Sequence, residues 1–208
     1  GRYKGKVDGW DVVNEAISDS AGTMRESLWY QIIGEDYVTK AFEFAHEADP
    51  EAELYYNDYS LNDPDKREGT YQLIKSVQEQ GARVTGIGMQ GHYGLDYATE
   101  EQLENSITRF GELGVVAITE LDMDVLPSAS DYRGADVGAM SDAEVTEALN
   151  PYTEGLPDSV AQQQAEQYAM FFRMFLKHSD KINRVTFWGV TDADSWKNNW
   201  PIPGRTNY

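Results

Sequence analysis

The residues best equipped for chemistry fall in short runs that each close an apolar stretch. "WDVVNEA" sets Asn14 and Glu15, an amide beside a carboxylate, after a β-branched run, and "ITELDMD" carries Glu120 and Asp122. Alternation along an extended strand puts those last two on one face and Leu121 on the other. In "GIGMQGH" the same period aligns Gly86, Gly88, Gln90 and His92, with Ile87 and Met89 turned toward helices. Two carboxylates from different strands, Glu15 and Glu120, can divide the work of acid and nucleophile when their surroundings separate their pKa values. His92 is expected to reach Glu120 or Asp122, where an imidazole favours the charged carboxylate that a nucleophile requires. The rings of Tyr59, Trp188 and Trp196 suit the apolar faces of sugars, and the amides of Asn14, Asn57 and Gln90 suit hydroxyls. The ligand class this suggests is a carbohydrate. Glu120, Asp122 and His92 also have the donor types of a divalent-metal site, but Gln90 and the tryptophans would add nothing to coordination. Neither metal nor cofactor is expected.

These groups need elements to carry them. Buried-strand patterns occur at 9–14, 53–57, 84–90, 115–121 and 184–190, each bounded by turn-forming or polar residues. Helical periodicity fills the intervals. Trp29, Ile33, Tyr37, Ala41, Phe44 and Ala48 recur every three or four residues until Pro50 blocks continuation. Tyr71, Ile74 and Val77 mark a second helix ending near Gly81, and Thr99 and Gln102 have capping-box spacing ahead of Leu103, Ile107 and Phe110. A polar, Gly- and Pro-dotted stretch over 127–158 follows the fourth strand, and its place after that strand suggests that it walls a cleft. Ala161, Ala165, Tyr168, Phe172 and Phe175 then form the last helix, with Phe171 in or beside its core face; His46 and His178 are assigned to helix surfaces. Strict β-then-α order without hairpin signals implies parallel strands joined by right-handed crossovers. Such a sheet is covered on both faces or closed into a barrel, and function sits at the carboxyl ends of its strands. The polar groups named above cluster at those ends.

Composition narrows the partners. The 208 residues, 40% of them hydrophobic and 12% aromatic, suffice for one globular domain. A net charge of -19 argues against nucleic acid and against an anionic membrane, both of which reward Lys and Arg clusters. Cysteine is absent, so disulfide and thiolate chemistry are excluded. No apolar run approaches the roughly 20 residues needed to span a bilayer.

The runs "WDVVNEA", "YYNDY", "GIGMQGH", "ITELDMD" and "FWGVTDADSW" stand in the order and near the spacing of glycoside hydrolase family 10, the endo-1,4-β-xylanases, which the chain resembles from Trp10 to Trp196. The resemblance implies an α/β fold, a (β/α)8 TIM barrel of which residues 1–208 supply strands four to eight as a partial catalytic domain. Three earlier strands, which in the family bring a Lys, Asn, His and Trp to the sugar, and a closing helix are expected outside it. It also implies a retaining cleavage of internal β-1,4 bonds in xylan through a covalent glycosyl-enzyme intermediate. Glu15 would then be the general acid/base and Glu120 the nucleophile, with His92 and Asp122 supporting the latter. Asn14 would bond the 2-hydroxyl of the cleaved sugar, with Gln90 and His92 beside the nucleophile. Tyr59, Trp188 and Trp196 would line the subsite next to the scissile bond. Ser60 departs from the pattern, standing where many relatives have Asn. The expected partners are xylan, xylo-oligosaccharides and the missing barrel strands of the parent chain, in a secreted, periplasmic or cell-surface setting. Two rival readings are a noncatalytic carbohydrate-binding barrel and an isolated fragment without activity.

Overall fold

The computed structural model describes residues 1–129 and 146–208. Its elements run β1 (Gly9–Asn14), α1 (Leu28–Ile33), α2 (Tyr37–Ala48), β2 (Glu53–Asp58), α3 (Pro64–Glu79), β3 (Gly86–Met89), β4 (His92–Gly94), α4 (Glu100–Phe110), β5 (Val115–Asp124), α5 (Asp158–Lys177) and β6 (Ile182–Phe187). Every strand pairing is parallel: β1 with β2, β2 with β3, β5 with β3, β4 and β6. Helices follow strands in the order expected of an incomplete (β/α) barrel.

Local chemistry accounts for most boundaries. Thr99 caps α4 through the reciprocal bonds of a capping box with Gln102, and Pro64 opens α3, where its missing N–H costs nothing. Leu54 and Tyr56 from β2, Ile87 from β3 and Ile118 from β5 are fully buried with Ile74, Leu103, Ile107 and Phe110 from the helices. Alternation on β2 sends Tyr55 and Asn57 to one face, Tyr56 and Asp58 to the other. Among the described residues, no helix is long and apolar enough to cross a membrane.

Four sequence expectations are corrected. The periodic stretch from Trp29 to Ala48 is two helices, because Gly34 takes a left-handed φ of 86° and ends the first. The core-facing residues of the second are Val38, Thr39 and Phe42, which leaves Phe44 67% exposed. The strand expected over 84–90 stops at Met89, since Gly91 (φ 85°) breaks it, and pairing along β5 resumes only at His92. His92 therefore does not continue the alternation of Gly86, Gly88 and Gln90. The strand expected at 184–190 lies at Ile182–Phe187, which places Trp188 just beyond it, before Gly189. His178 is buried rather than on a helix surface: it follows α5 and sets its Nε2 3.0 Å from Glu104 Oε2 on α4. His46 is exposed as expected. Of the long stretch over 127–158, residues 130–145 lie outside the described residues.

Candidate active site

The carboxyl ends of the strands surround a groove of about 1400 Å³. Glu15, Tyr59, Gln90, His92 and Glu120 line it, with Trp188 and Trp196. Ala129 and Tyr152, which flank the undescribed residues, contribute to its wall.

Asn57, in register with Asn14 on β1 and Gly88 on β3, is the hub of the floor. Its Nδ2 donates to Asn14 Oδ1 at 3.0 Å and to Glu120 Oε1 at 2.9 Å, and its Oδ1 accepts from Thr119 Oγ1 at 2.6 Å. A Cβ on Gly88 would collide with Asn57 Oδ1 and Thr119 Cγ2, so glycine is needed there for the hub to exist. Sequence alone assigned Asn57 to sugar hydroxyls; at 2% exposure, with both ends of its amide engaged, it is a structural brace instead. Gln90 was expected beside Glu120. It is there through its backbone, whose carbonyl accepts from Glu120 N–H, while its Nε2 donates to Glu15 Oε1 at 3.0 Å and Asn14 Oδ1 at 3.3 Å. The two carboxylates thus arrive just after β1 and on β5, with β2 and β3 between them, and are tied by one amide network.

His92 links the other end. Its Nδ1 lies 2.9 Å from Asp122 Oδ1 and its Nε2 3.4 Å from Glu120 Oε2. Burial opposes a charge on His92, but the bonds to Asp122 and Glu120 outweigh it and raise its pKa. Burial likewise opposes a charge on Asp122, yet His92, the Lys197 ammonium at 2.9 Å and Trp196 Nε1 at 2.9 Å together hold its carboxyl below the usual value. Trp196 meets the His92 ring edge-on at 5.1 Å and stacks on Trp200 at 4.9 Å. Trp188, with its backbone N–H bonded to Leu121 O, stands 49% exposed at the rim. Among the described residues, no three of His, Cys, Asp and Glu gather as metal ligands. The Lys197 ammonium occupies the place beside Asp122.

Glu15 itself has a φ of 58°, a left-handed conformation costing a non-glycine residue roughly 1–2 kcal/mol. Its N–H donates to Asn57 O at 2.9 Å, and its carbonyl accepts from Arg25 Nε at 2.9 Å. Arg25 also donates to Tyr59 Oη, which donates to Asp19 Oδ2 at 2.7 Å. Lys66 Nζ sits 3.4 Å above the Tyr59 ring centroid and fixes its plane. Sequence reading passed over Arg25, Lys66, Thr119, Lys197 and Trp200. Thr119 had a signal, since it precedes Glu120; the others act across elements and had none.

A parallel β/α order with two carboxylates at the ends of different strands and an aromatic rim defines a partial (β/α) barrel with a carboxylate-pair site. The model for glycosyl hydrolase family 10 matches residues 1–208, and the chain belongs to that family. It is 49% identical over 208 residues to endo-1,4-beta-xylanase A of Xylanibacter ruminicola, and 42% identical over 209 residues to an endo-1,4-beta-xylanase of Geobacillus stearothermophilus. These alignments cover 100% of this chain but only 56% and 58% of those proteins. A GH10 endoxylanase retrieved from sugarcane soil metagenome superposes with a TM-score of 0.91 at 43% identity, covering 100% of this chain and 58% of that one. Xylanase XynB of Paenibacillus barcinonensis, in complex with a conduramine derivative, gives 0.85 at 39%. The chain therefore spans a little over half the length of the relatives it matches.

Proposed function

We propose that residues 1–208 are the larger part of a retaining endo-1,4-β-xylanase, in which Glu120 attacks the anomeric carbon and Glu15 protonates the leaving oxygen. One observation carries the reading: Glu15, just after β1, and Glu120, on β5, meet in one groove and share the Asn57–Asn14–Gln90 amide network. Glu120 keeps one oxygen on Asn57 and the other toward His92, which suits an ionised nucleophile. Asn14 Oδ1 is engaged by two amides, which orients its Nδ2 as the donor for the 2-hydroxyl. Tyr59, Trp188 and Trp196 offer ring faces to the sugar at the groove. A covalent glycosyl intermediate forms as Glu120 displaces the aglycone; water, deprotonated by Glu15, then releases the sugar with retained configuration.

The site is completed by further strands of the parent chain, and those strands cover the two ends of the sheet. A polymeric substrate places the enzyme where xylan is, in a secreted, periplasmic or surface setting. The test uses the full-length protein that contains residues 1–208. On soluble xylan it releases oligosaccharides whose new ends appear first as the β-anomer by NMR. Glu120→Ala lowers turnover at least roughly 10⁴-fold, and Glu15→Ala lowers it ~10²–10⁴-fold on xylan but far less on aryl glycosides, whose leaving group needs little protonation. First appearance of the α-anomer would overturn the retaining mechanism. Binding of xylo-oligosaccharide without any cleavage would favour the noncatalytic barrel.

A further inference from the structure

The opposite face of β2 holds a second network, and no part of the proposed chemistry uses it. Tyr56 and Asp58 are both fully buried on the side away from Asn57. Tyr56 Oη accepts from two consecutive backbone N–H groups, Ala16 at 3.0 Å and Ile17 at 3.2 Å. These immediately follow the strained Glu15. A phenol has one proton and two acceptor positions. With both positions taken by amides, its proton has one place to go, and Asp58 Oδ2 lies 2.5 Å away. Burial raises the Asp58 pKa, and the Lys66 ammonium and the Tyr56 hydroxyl both favour its carboxylate form. Its other oxygen accepts from Tyr59 N–H at 2.8 Å and faces Lys66 Nζ at 3.0 Å. Lys66, 3% exposed, carries the charge that a buried carboxylate needs, and its ammonium also reaches Asp19 Oδ1 at 2.9 Å on the groove wall.

We infer that Tyr56 and Asp58, the latter paired with Lys66, are positioning residues for Glu15: they clamp the chain just after it and hold its left-handed backbone so that its carboxyl meets the leaving oxygen. This rests on the acid/base reading of Glu15. Neither residue lines the groove: Tyr56 acts through the Ala16 and Ile17 amides, and Asp58 acts through Tyr56 while its other oxygen holds the Tyr59 N–H. Loss of the clamp lets residue 15 relax toward an ordinary φ, which rotates its side chain away from the position Gln90 holds. The defect falls on proton transfer and leaves Glu120 in place, because Glu120 is braced from the other face of β2.

Tyr56→Phe and Asp58→Asn in the full-length protein decide this, each assayed on xylohexaose and on dinitrophenyl β-xylobioside. The expected result is a kcat/KM on xylohexaose lowered about tenfold or more, a dinitrophenolate burst within about threefold of wild type, and a displaced alkaline limb of the pH–rate profile. Both substrates are read in one preparation, so a misfolded fraction cancels from the ratio. If Tyr56→Phe yields no soluble protein, Asp58→Asn, which keeps the shape, decides alone. Equal losses on both substrates, or no loss on either, would overturn the inference. A wild-type protein inactive on both substrates would instead overturn the proposed function, and the positioning role with it.

Discussion

The middle of the sheet and its two ends are built to different standards. On β2 and β3 all but Glu53 are buried, as are six of the ten residues of β5, and the polar ones that face the groove are bonded to one another. At the ends, large apolar side chains face outward. Leu28, Trp29 and Ile32 on α1 and Phe44 on α2 are exposed beside β1; Phe172 and Leu176 on α5, with Phe187 and Val190, are exposed beside β6. Among the described residues, every exposed large hydrophobic lies within 3–44 or 172–190. β6 itself has no buried residue. Scattered exposed apolar groups need no explanation, but groups gathered at both ends of one parallel sheet read as surface awaiting cover. The difference teaches that this stretch of chain carries a finished site floor on an unfinished barrel.

The largest test of that contrast removes the cover. Residues 1–208 expressed alone are expected to be aggregated or molten and inactive on xylan, since two unpaired edges and an incomplete barrel interior exceed a margin of only ~5–15 kcal/mol. Gel filtration and calorimetry beside the full-length protein check this; a monomer with a cooperative transition and comparable turnover would break the comparison. A finer test compares two truncations within the full-length protein. Ile87→Ala, in the finished middle, costs ~2–5 kcal/mol by denaturant titration. Leu176→Ala costs about as much if the end is covered there, whereas a value within ~0.5 kcal/mol would mean that it stays exposed.

The charged groups of the middle set a pH window. His92, raised above its usual value of 6.5, adds stability that is complete below that value and is lost as pH climbs through its raised pKa. Asp122, lowered from 3.8, adds stability that is present above that value and is lost as pH falls through its depressed pKa. The full-length protein is therefore expected to lose melting temperature on the alkaline side in a step that His92→Asn removes, as a pH series of thermal melts would record. The smallest effect concerns Ser60, which holds a φ of 52° in the groove wall. Asn tolerates that conformation better, so Ser60→Asn is expected to stabilise by roughly 0.5 kcal/mol.

Much of this was legible in the residue order. Strand existence, parallel pairing and the convergence of Glu15, Gln90, His92 and Glu120 follow from apolar runs separated by helical periods, because those patterns are local and survive any tertiary setting. The errors were of phase and boundary. A single Gly34 split a helix and moved its buried face by one residue, which periodicity cannot register when both faces carry apolar groups made for different neighbours. His92 reached Asp122 as expected, but by a break at Gly91 and a new pairing rather than by uninterrupted alternation.

What the sequence determined by itself is therefore the inventory: a β/α order, two carboxylates at strand ends, and aromatic and amide groups near them. Only the tertiary structure decided which groups remain available to a ligand. Asn57 and Asn14 look alike in sequence, yet register between β1, β2 and β3 encloses Asn57 among Thr119, Asn14 and Glu120. Lys66 and Lys197 look like surface lysines until α3 and the chain after β6 bring them against Asp58 and Asp122. A hydrogen bond or ion pair is set by distances of about 3 Å between groups dozens of residues apart, and such distances exist only once the elements have packed.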